Sequence, residues 1–151
     1  NTSNLPIEAL ETEYPLMIER YEFTENSGGA GKYRGGLGIL REYRPIGHST
    51  TFSGQGERFV NQPWGLFGGK SGGTGSFSTV SDNGAVSRLA NKPSALRVGP
   101  EHVIRVVTAG AGGFGDPLER SDVDLVEDRN SGKFTEEFLS KEYPQWKGLS
   151  D

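Results

Sequence analysis

Apolar positions in this chain alternate over short runs that glycine keeps interrupting. From Leu16 to Phe23, Met17, Tyr21 and Phe23 share one face and Arg20 and Glu22 the other, the period of a half-buried strand. The same pattern predicts strands over 37–43, 49–54, 58–60, 76–80, 85–90 and 102–108. The 76–80 and 85–90 runs form a hairpin around Asp82-Asn83-Gly84, because Asn-Gly adopts the positive φ of a tight turn. In the 102–108 strand Val103, Arg105 and Val107 alternate with His102, Ile104 and Val106, and His102 reads as a half-buried strand residue. Helical signals stand at the two ends. Asn4 is placed to cap an opening turn that tolerates Pro6 and stops at Pro15. Ser121-Asp-Val-Asp124 has the form of a capping box. Thr135 caps a second helix with Phe134 and Leu139 as its hydrophobic staple, Pro144 ends it, and Trp146 packs the end down.

The predicted fold is therefore mainly β (α+β): an antiparallel barrel-like or sandwich body of about eight short strands with a carboxy-terminal two-helix tail. Residues 1–120 form the β-rich body and 121–151 the helical tail packed on it, as a single domain. Composition sharpens this picture. Only 32% of the 151 residues are hydrophobic, while 23 glycines and 8 prolines favour tight turns over a modest core. A piece built this way is expected to gain stability by docking onto something larger.

The formal net charge of −4, with no run of Lys or Arg, argues against nucleic acid as partner. No apolar run has membrane-spanning length, and nothing resembles a signal peptide. The absence of cysteine excludes disulfides, thiolate zinc sites and a cysteine nucleophile, and fits a cytoplasmic protein. Asn1 in place of Met suggests a fragment or a processed product.

Candidate chemistry lies in the glycine stretches. In Thr108-Ala-Gly-Ala-Gly-Gly-Phe-Gly-Asp-Pro117, Gly110, Gly112, Gly113 and Gly115 leave one side of a turn bare. Two readings stand: backbone N–H groups brought close to an anion, or a tight crossing against a neighbouring backbone. Ser27 to Gly38 is a second such stretch, in which Gly29 lies beside Lys32 and Arg34, cations suited to a carboxylate or phosphate or simply solvated at a hairpin tip. Residues 62–75 form a third, with Trp64 and Phe67 among glycines. Gly69-Lys-Ser71 ends like a phosphate-binding P-loop, but Trp64 stands where its first glycine belongs. Gly69-Lys-Ser71-Gly-Gly73 spells a nucleophile elbow without the strand and helix that one needs. Gly110-x-Gly112-x-x-Gly115 spells a dinucleotide fingerprint, yet Pro117 stands where a long helix should begin. Glu8 and Glu11, three apart on the opening helix, are secondary acid/base candidates against the plainer reading of two solvated carboxylates. Thr2 and Ser3 do not qualify as amino-terminal nucleophiles, since Asn1 precedes them.

Several blocks in order carry a wider resemblance: Asn1-Thr2, Pro6-Ile-Glu8, Glu11-Thr-Glu-Tyr-Pro-Leu16, the 27–38 stretch, Pro63-Trp-Gly-Leu-Phe-Gly-Gly69, Ala109 to Pro117, and Asp122-Val-Asp-Leu-Val-Glu-Asp128 with Gly132-Lys133. The chain resembles the carboxy-terminal part of the hydantoinase B half of the ATP-dependent hydantoinase/5-oxoprolinase group, to which the ketone carboxylases are related. Ala111 departs from that family's unbroken glycine run and narrows the space beside it.

The resemblance implies part of an ATP-dependent amidohydrolase acting on cyclic amides, not active alone, in which phosphorylation of the amide oxygen precedes attack by water. It implies a larger hydantoinase B-like segment and an ATP-binding hydantoinase A-like subunit as partners. ATP and a divalent metal are expected on those segments, with no metal ligands in this chain. The 110–116 loop, with the 28–36 loop, is expected to hold the phosphorylated intermediate through backbone N–H groups, with Asp116 orienting the loop. The alternatives are a subunit of an ATP-dependent ketone carboxylase and a purely structural subunit.

Overall fold

The computed structural model describes residues 4–148. Thr2 and Ser3 lie outside them. In chain order the elements are α1 (Ile7–Glu13), β1 (Leu16–Phe23), β2 (Ile39–Pro45), β3 (Thr50–Phe52), β4 (Ser76–Ser81), β5 (Val86–Arg88), β6 (Leu96–Val98), β7 (His102–Val107), a 3₁₀ turn (Pro117–Glu119), α2 (Asp122–Asn130) and α3 (Glu136–Glu142). The chain forms two compact units. One comprises residues up to Glu22 with Leu40–Gly56 and Ser76–Val106, and the other Phe23–Ile39, Glu57–Gly75 and Val107 onward.

The first unit is the β body. Its five-stranded sheet runs β1-β2-β7-β4-β5 and is open at both edges, and β3 pairs with β6 in a second sheet. The β4–β5 hairpin is antiparallel, with Val80 opposite Val86, and turns as expected through Asp82-Asn83 with Gly84 at φ +83°. Phe77, Val98, Val103 and Ile104 are its buried apolar residues, and Phe52 meets Phe77 edge-on at 5.5 Å. Glu42 is buried between two cations, 2.6 Å from Arg105 Nε and 3.6 Å from Arg20 Nη1.

Three local expectations change. Asn4 does not cap α1; its amide donates to Tyr21 Oη at 2.8 Å, and Pro6 itself stands at the N-cap position with an extended ψ of 143°, the helix beginning at Ile7. Residues 58–60 are not a strand, because Arg58 sits at φ +59° and breaks the extended run. Strand β6 appears without an alternating pattern: it is three residues long, follows Ala95 at φ +51°, and exists by pairing Leu96, Arg97 and Val98 with Phe52, Thr51 and Thr50.

The second unit holds the glycine stretches and the tail. Ala30, Leu125, Phe134, Leu139 and Tyr143 are fully buried together, with Leu37, Phe138 and Trp146 packed on them. Helices of nine and seven residues are too short to persist alone. Burial of four large side chains at roughly 1.5–3 kcal/mol each, an upper estimate, is what holds them. The caps form as the sequence indicates. Ser121 Oγ accepts from the Asp124 N–H at 3.2 Å and Thr135 Oγ1 accepts from the Phe138 N–H at 3.2 Å. Trp146 Nε1 donates to Glu136 Oε1 at 2.6 Å and pins the end of the tail to the start of α3.

Candidate functional site

The three glycine stretches of the second unit interlock. Gly29 N–H donates to Ala111 O at 2.8 Å, and Ala111 N–H to Gly36 O at 2.8 Å. Phe114 and Tyr33 exchange both backbone hydrogen bonds, at 2.8 and 3.0 Å. The 63–75 stretch completes the weave: Lys70 N–H donates to Ala30 O, Gly113 N–H to Lys70 O, Leu66 N–H to Gly113 O, and Gly115 N–H to Leu66 O, all between 2.7 and 2.9 Å. Gly73 N–H donates to Ser27 O at 2.7 Å, and Gly110 N–H to Gly73 O at 3.0 Å.

Backbones this close leave no room for side chains. A Cβ on Gly110, Gly112 or Gly113 would fall 1.9, 1.9 and 2.0 Å from the carbonyl oxygens of Ser27, Trp64 and Ala30. Adding one Cα–Cβ bond of about 1.5 Å, each Cα lies within about 3.5 Å of that oxygen, the range of a Cα–H···O contact. Glycine is thus required here by close approach.

Most amides of the 110–116 loop are taken up by this crossing. Those of Gly110, Ala111, Gly113, Phe114 and Gly115 donate to carbonyls of this chain and are not turned toward an anion. The cations are engaged as well. Lys32 Nζ lies 2.9 Å from Glu119 Oε2, and that hydrogen bond holds its pKa above the ordinary lysine value. Arg34 Nε donates to Asp128 Oδ1 at 2.8 Å, and Arg120 Nη2 to Asp128 Oδ2 at 2.6 Å. Asp128 is 1% exposed, so one buried carboxylate of α2 is shared by two guanidinium groups and ties the 27–38 stretch to the tail. Tyr143 Oη accepts from the Gly31 N–H at 3.3 Å, and burial pushes its phenol above the usual value.

Beside the weave lies a groove of about 480 Å³ lined by Gly68, Lys70, Asp116, Leu118, Lys141 and Glu142, among others. Asp116 Oδ1 accepts from the Leu118 N–H at 2.9 Å, the local hydrogen bond that orients the loop end. Lys70 is exposed and reaches the same groove. This is where a polar ligand group can meet a carboxylate and an ammonium of this unit.

The structure thus brings Gly29, Lys32, Arg34, Gly110, Gly112, Gly113, Gly115 and Asp116 into one unit. Glu8 and Glu11 belong to the other: Glu8 is exposed, and Glu11 Oε1 accepts from the Ile18 N–H at 2.8 Å, which tethers α1 to β1. Among the described residues, no three His, Cys, Asp or Glu side chains cluster to hold a metal ion. Lys32 and Arg34 are each paired with a carboxylate, and five of the 110–115 amides with carbonyls. Sequence reasoning did not single out Lys70, Phe114 or Asp128. Lys70 and Phe114 sat inside motifs already noticed, whereas nothing local distinguishes Asp128 from its acidic neighbours on α2.

Residues 1–117 match the family model described as Hydantoinase B/oxoprolinase. The putative D-/L-hydantoinase B polypeptide of Pseudomonas sp. (strain NS671) is 36% identical over 146 residues, covering 95% of this chain and 24% of that protein. The crystal structure of ATP-dependent caprolactamase from Pseudomonas jessenii is 28% identical with a TM-score of 0.76, covering 91% of this chain and 24% of its own. Nucleotide-free acetone carboxylase shares the fold, with a TM-score of 0.74 at 22% identity, over 91% of this chain and 22% of that one. The chain spans about a quarter of the length of these relatives. Its matched residues take in all three interlocked glycine stretches, and the chain belongs to the hydantoinase B/oxoprolinase family.

Proposed function

We propose that this chain is the carboxy-terminal part of a hydantoinase B-type polypeptide of an ATP-dependent cyclic-amide hydrolase. It works with a larger B-like segment and an ATP-binding hydantoinase A-like partner. The observation that carries this reading is the 36% identity to a putative hydantoinase B polypeptide over 95% of the chain. The likeness to an ATP-dependent caprolactamase points the same way. A resonance-stabilised amide resists water, which is the chemical reason to spend ATP on it.

The role that fits this unit is a rigid wall, and the geometry supports it through the satisfied amides and carboxylate-paired cations of the glycine weave. Asp116 and Lys70 are the side chains left facing a groove, and on this reading they contact substrate or the adjoining segment. ATP and the metal then reside on the companion segments.

The test is to co-express the chain with the B-like and A-like polypeptides of its own genome and assay ATP-coupled opening of hydantoin, 5-oxoproline and caprolactam. Ring opening stoichiometric with ADP, lost when this chain is omitted, is the expected result. Incorporation of labelled bicarbonate into product would replace hydrolysis with carboxylation. An unchanged rate without this chain refutes the proposal.

A further inference from the structure

Five large apolar side chains stand exposed on the glycine weave: Tyr33 at 62%, Trp64 at 63%, Leu66 at 51%, Phe67 at 80% and Phe114 at 46%. They come from all three stretches, and Tyr33, Leu66, Phe67 and Phe114 are held together. Tyr33 and Leu66 each form a backbone bridge to Phe114, and the Phe67 and Phe114 rings lie 5.0 Å apart. Single exposed apolar residues need no explanation, whereas a contiguous cluster on a rigid backbone marks a surface that something covers.

Phe67 makes the case stronger. The Gly69 N–H donates to Leu66 O at 3.0 Å, closing a turn in which Phe67 sits at φ +51° and Gly68 at φ +96°. A bulky residue in the left-handed region is a conformational outlier. Asn or Gly would adopt it freely. Inside this chain the strained Phe67 gains only its tilted contact with the Phe114 ring and stays 80% exposed, which leaves most of its surface for something outside the chain to cover.

We infer that this aromatic cluster is the docking face for the remaining part of a hydantoinase B-type chain, the roughly three quarters that the relatives possess beyond the matched region. The inference rests on the hydantoinase-type reading above. The family match takes in every residue of the cluster. Its surroundings carry both signs of charge: Arg58 lies over the Trp64 ring at 4.5 Å, and Lys70 and Asp116 line the groove that Gly68 shares. Because backbone hydrogen bonds fix the main chain that carries the rings, the ordering cost left when they are covered is that of the side chains alone.

The test places photoreactive benzoylphenylalanine at Phe67 in the assembly formed with the B-like and A-like polypeptides, followed by irradiation and peptide mass spectrometry. Cross-links to B-type sequence outside these 151 residues are expected. Phe67→Asn should weaken association about ten-fold or more, as loss of an aromatic anchor does. The isolated variant should melt at or above the wild-type temperature, which a merely structural role would not permit. Cross-links to the A-like polypeptide, to a second copy or to nothing overturn the inference, as does undiminished association of Phe67→Asn. An assembly that cross-links as expected but opens no cyclic amide leaves the docking face standing and removes the activity. An active assembly without the cross-link does the reverse.

Discussion

Replacing Gly113 by alanine tests whether the weave is held by close backbone contact. The new methyl would lie 2.0 Å from Ala30 O, 2.6 Å from Ala30 C and 2.7 Å from Gly29 O, all backbone atoms that no rotamer change can move. Restoring contact means parting two backbones by about an ångström or more, and the hydrogen bonds nearest that crossing are Gly29 N–H to Ala111 O and the pair exchanged by Tyr33 and Phe114. At about 1 kcal/mol net per bond, losing two or three costs about 2–3 kcal/mol. Residual overpacking adds about 1 kcal/mol or more. For a chain of this size the melting temperature should fall by roughly 10 °C. Gly36→Ala is the internal control, because nothing lies within 4 Å of its added methyl. That change should leave stability unaltered or raise it by up to about 1 kcal/mol through the unfolded chain. Thermal melts followed by circular dichroism, with amide exchange at residues 29–36 and 110–115, compare the two variants. If both melt with the wild type, the contacts are not the constraint argued here.

Two further predictions concern the charges and the buried phenol. Asp128→Asn leaves two guanidinium groups facing a neutral amide and should cost about 3 kcal/mol in urea denaturation. Lys32→Met, which breaks the exposed pair with Glu119, should be indistinguishable from wild type in the same assay. Tyr143 is neutral and buried, with its pKa raised above 10.0. Its contribution to stability is therefore intact below the unfolded value near pH 10 and declines as pH climbs through the raised folded value. Melts between pH 8 and 11.5 should show that decline, and Tyr143→Phe should flatten it at a modest constant cost for the lost Gly31 N–H contact. A decline that persists unchanged in the phenylalanine variant refutes the assignment.

Much of the fold was present in local pattern. Strand β1 spans the residues its alternation marked, although the face of Met17, Tyr21 and Phe23 is exposed rather than buried; the Asp82-Asn83-Gly84 hairpin turns where its glycine allows, and both tail helices begin at Ser121 and Thr135, whose hydroxyls cap them. These features depend on neighbours within a few positions. Short strand β6 escaped because three residues cannot display a period, and its pairing with β3 joins segments far apart in the chain.

The candidate site divides along the same line. Sequence alone determined that Gly110, Gly112, Gly113 and Gly115 lie in a bare-backbone turn, that Lys32 and Arg34 accompany a second one, and that the ordered blocks belong to one family. Only the tertiary structure decided what those groups face: carbonyls of the neighbouring stretches for the amides of Gly110, Gly113 and Gly115, Glu119 and Asp128 for the cations, and open surface for Tyr33, Phe67 and Phe114. The physical reason is that glycine's lack of a side chain permits an anion and a second backbone equally. Which of them arrives depends on residues tens of positions away, whose approach leaves no mark in the local sequence.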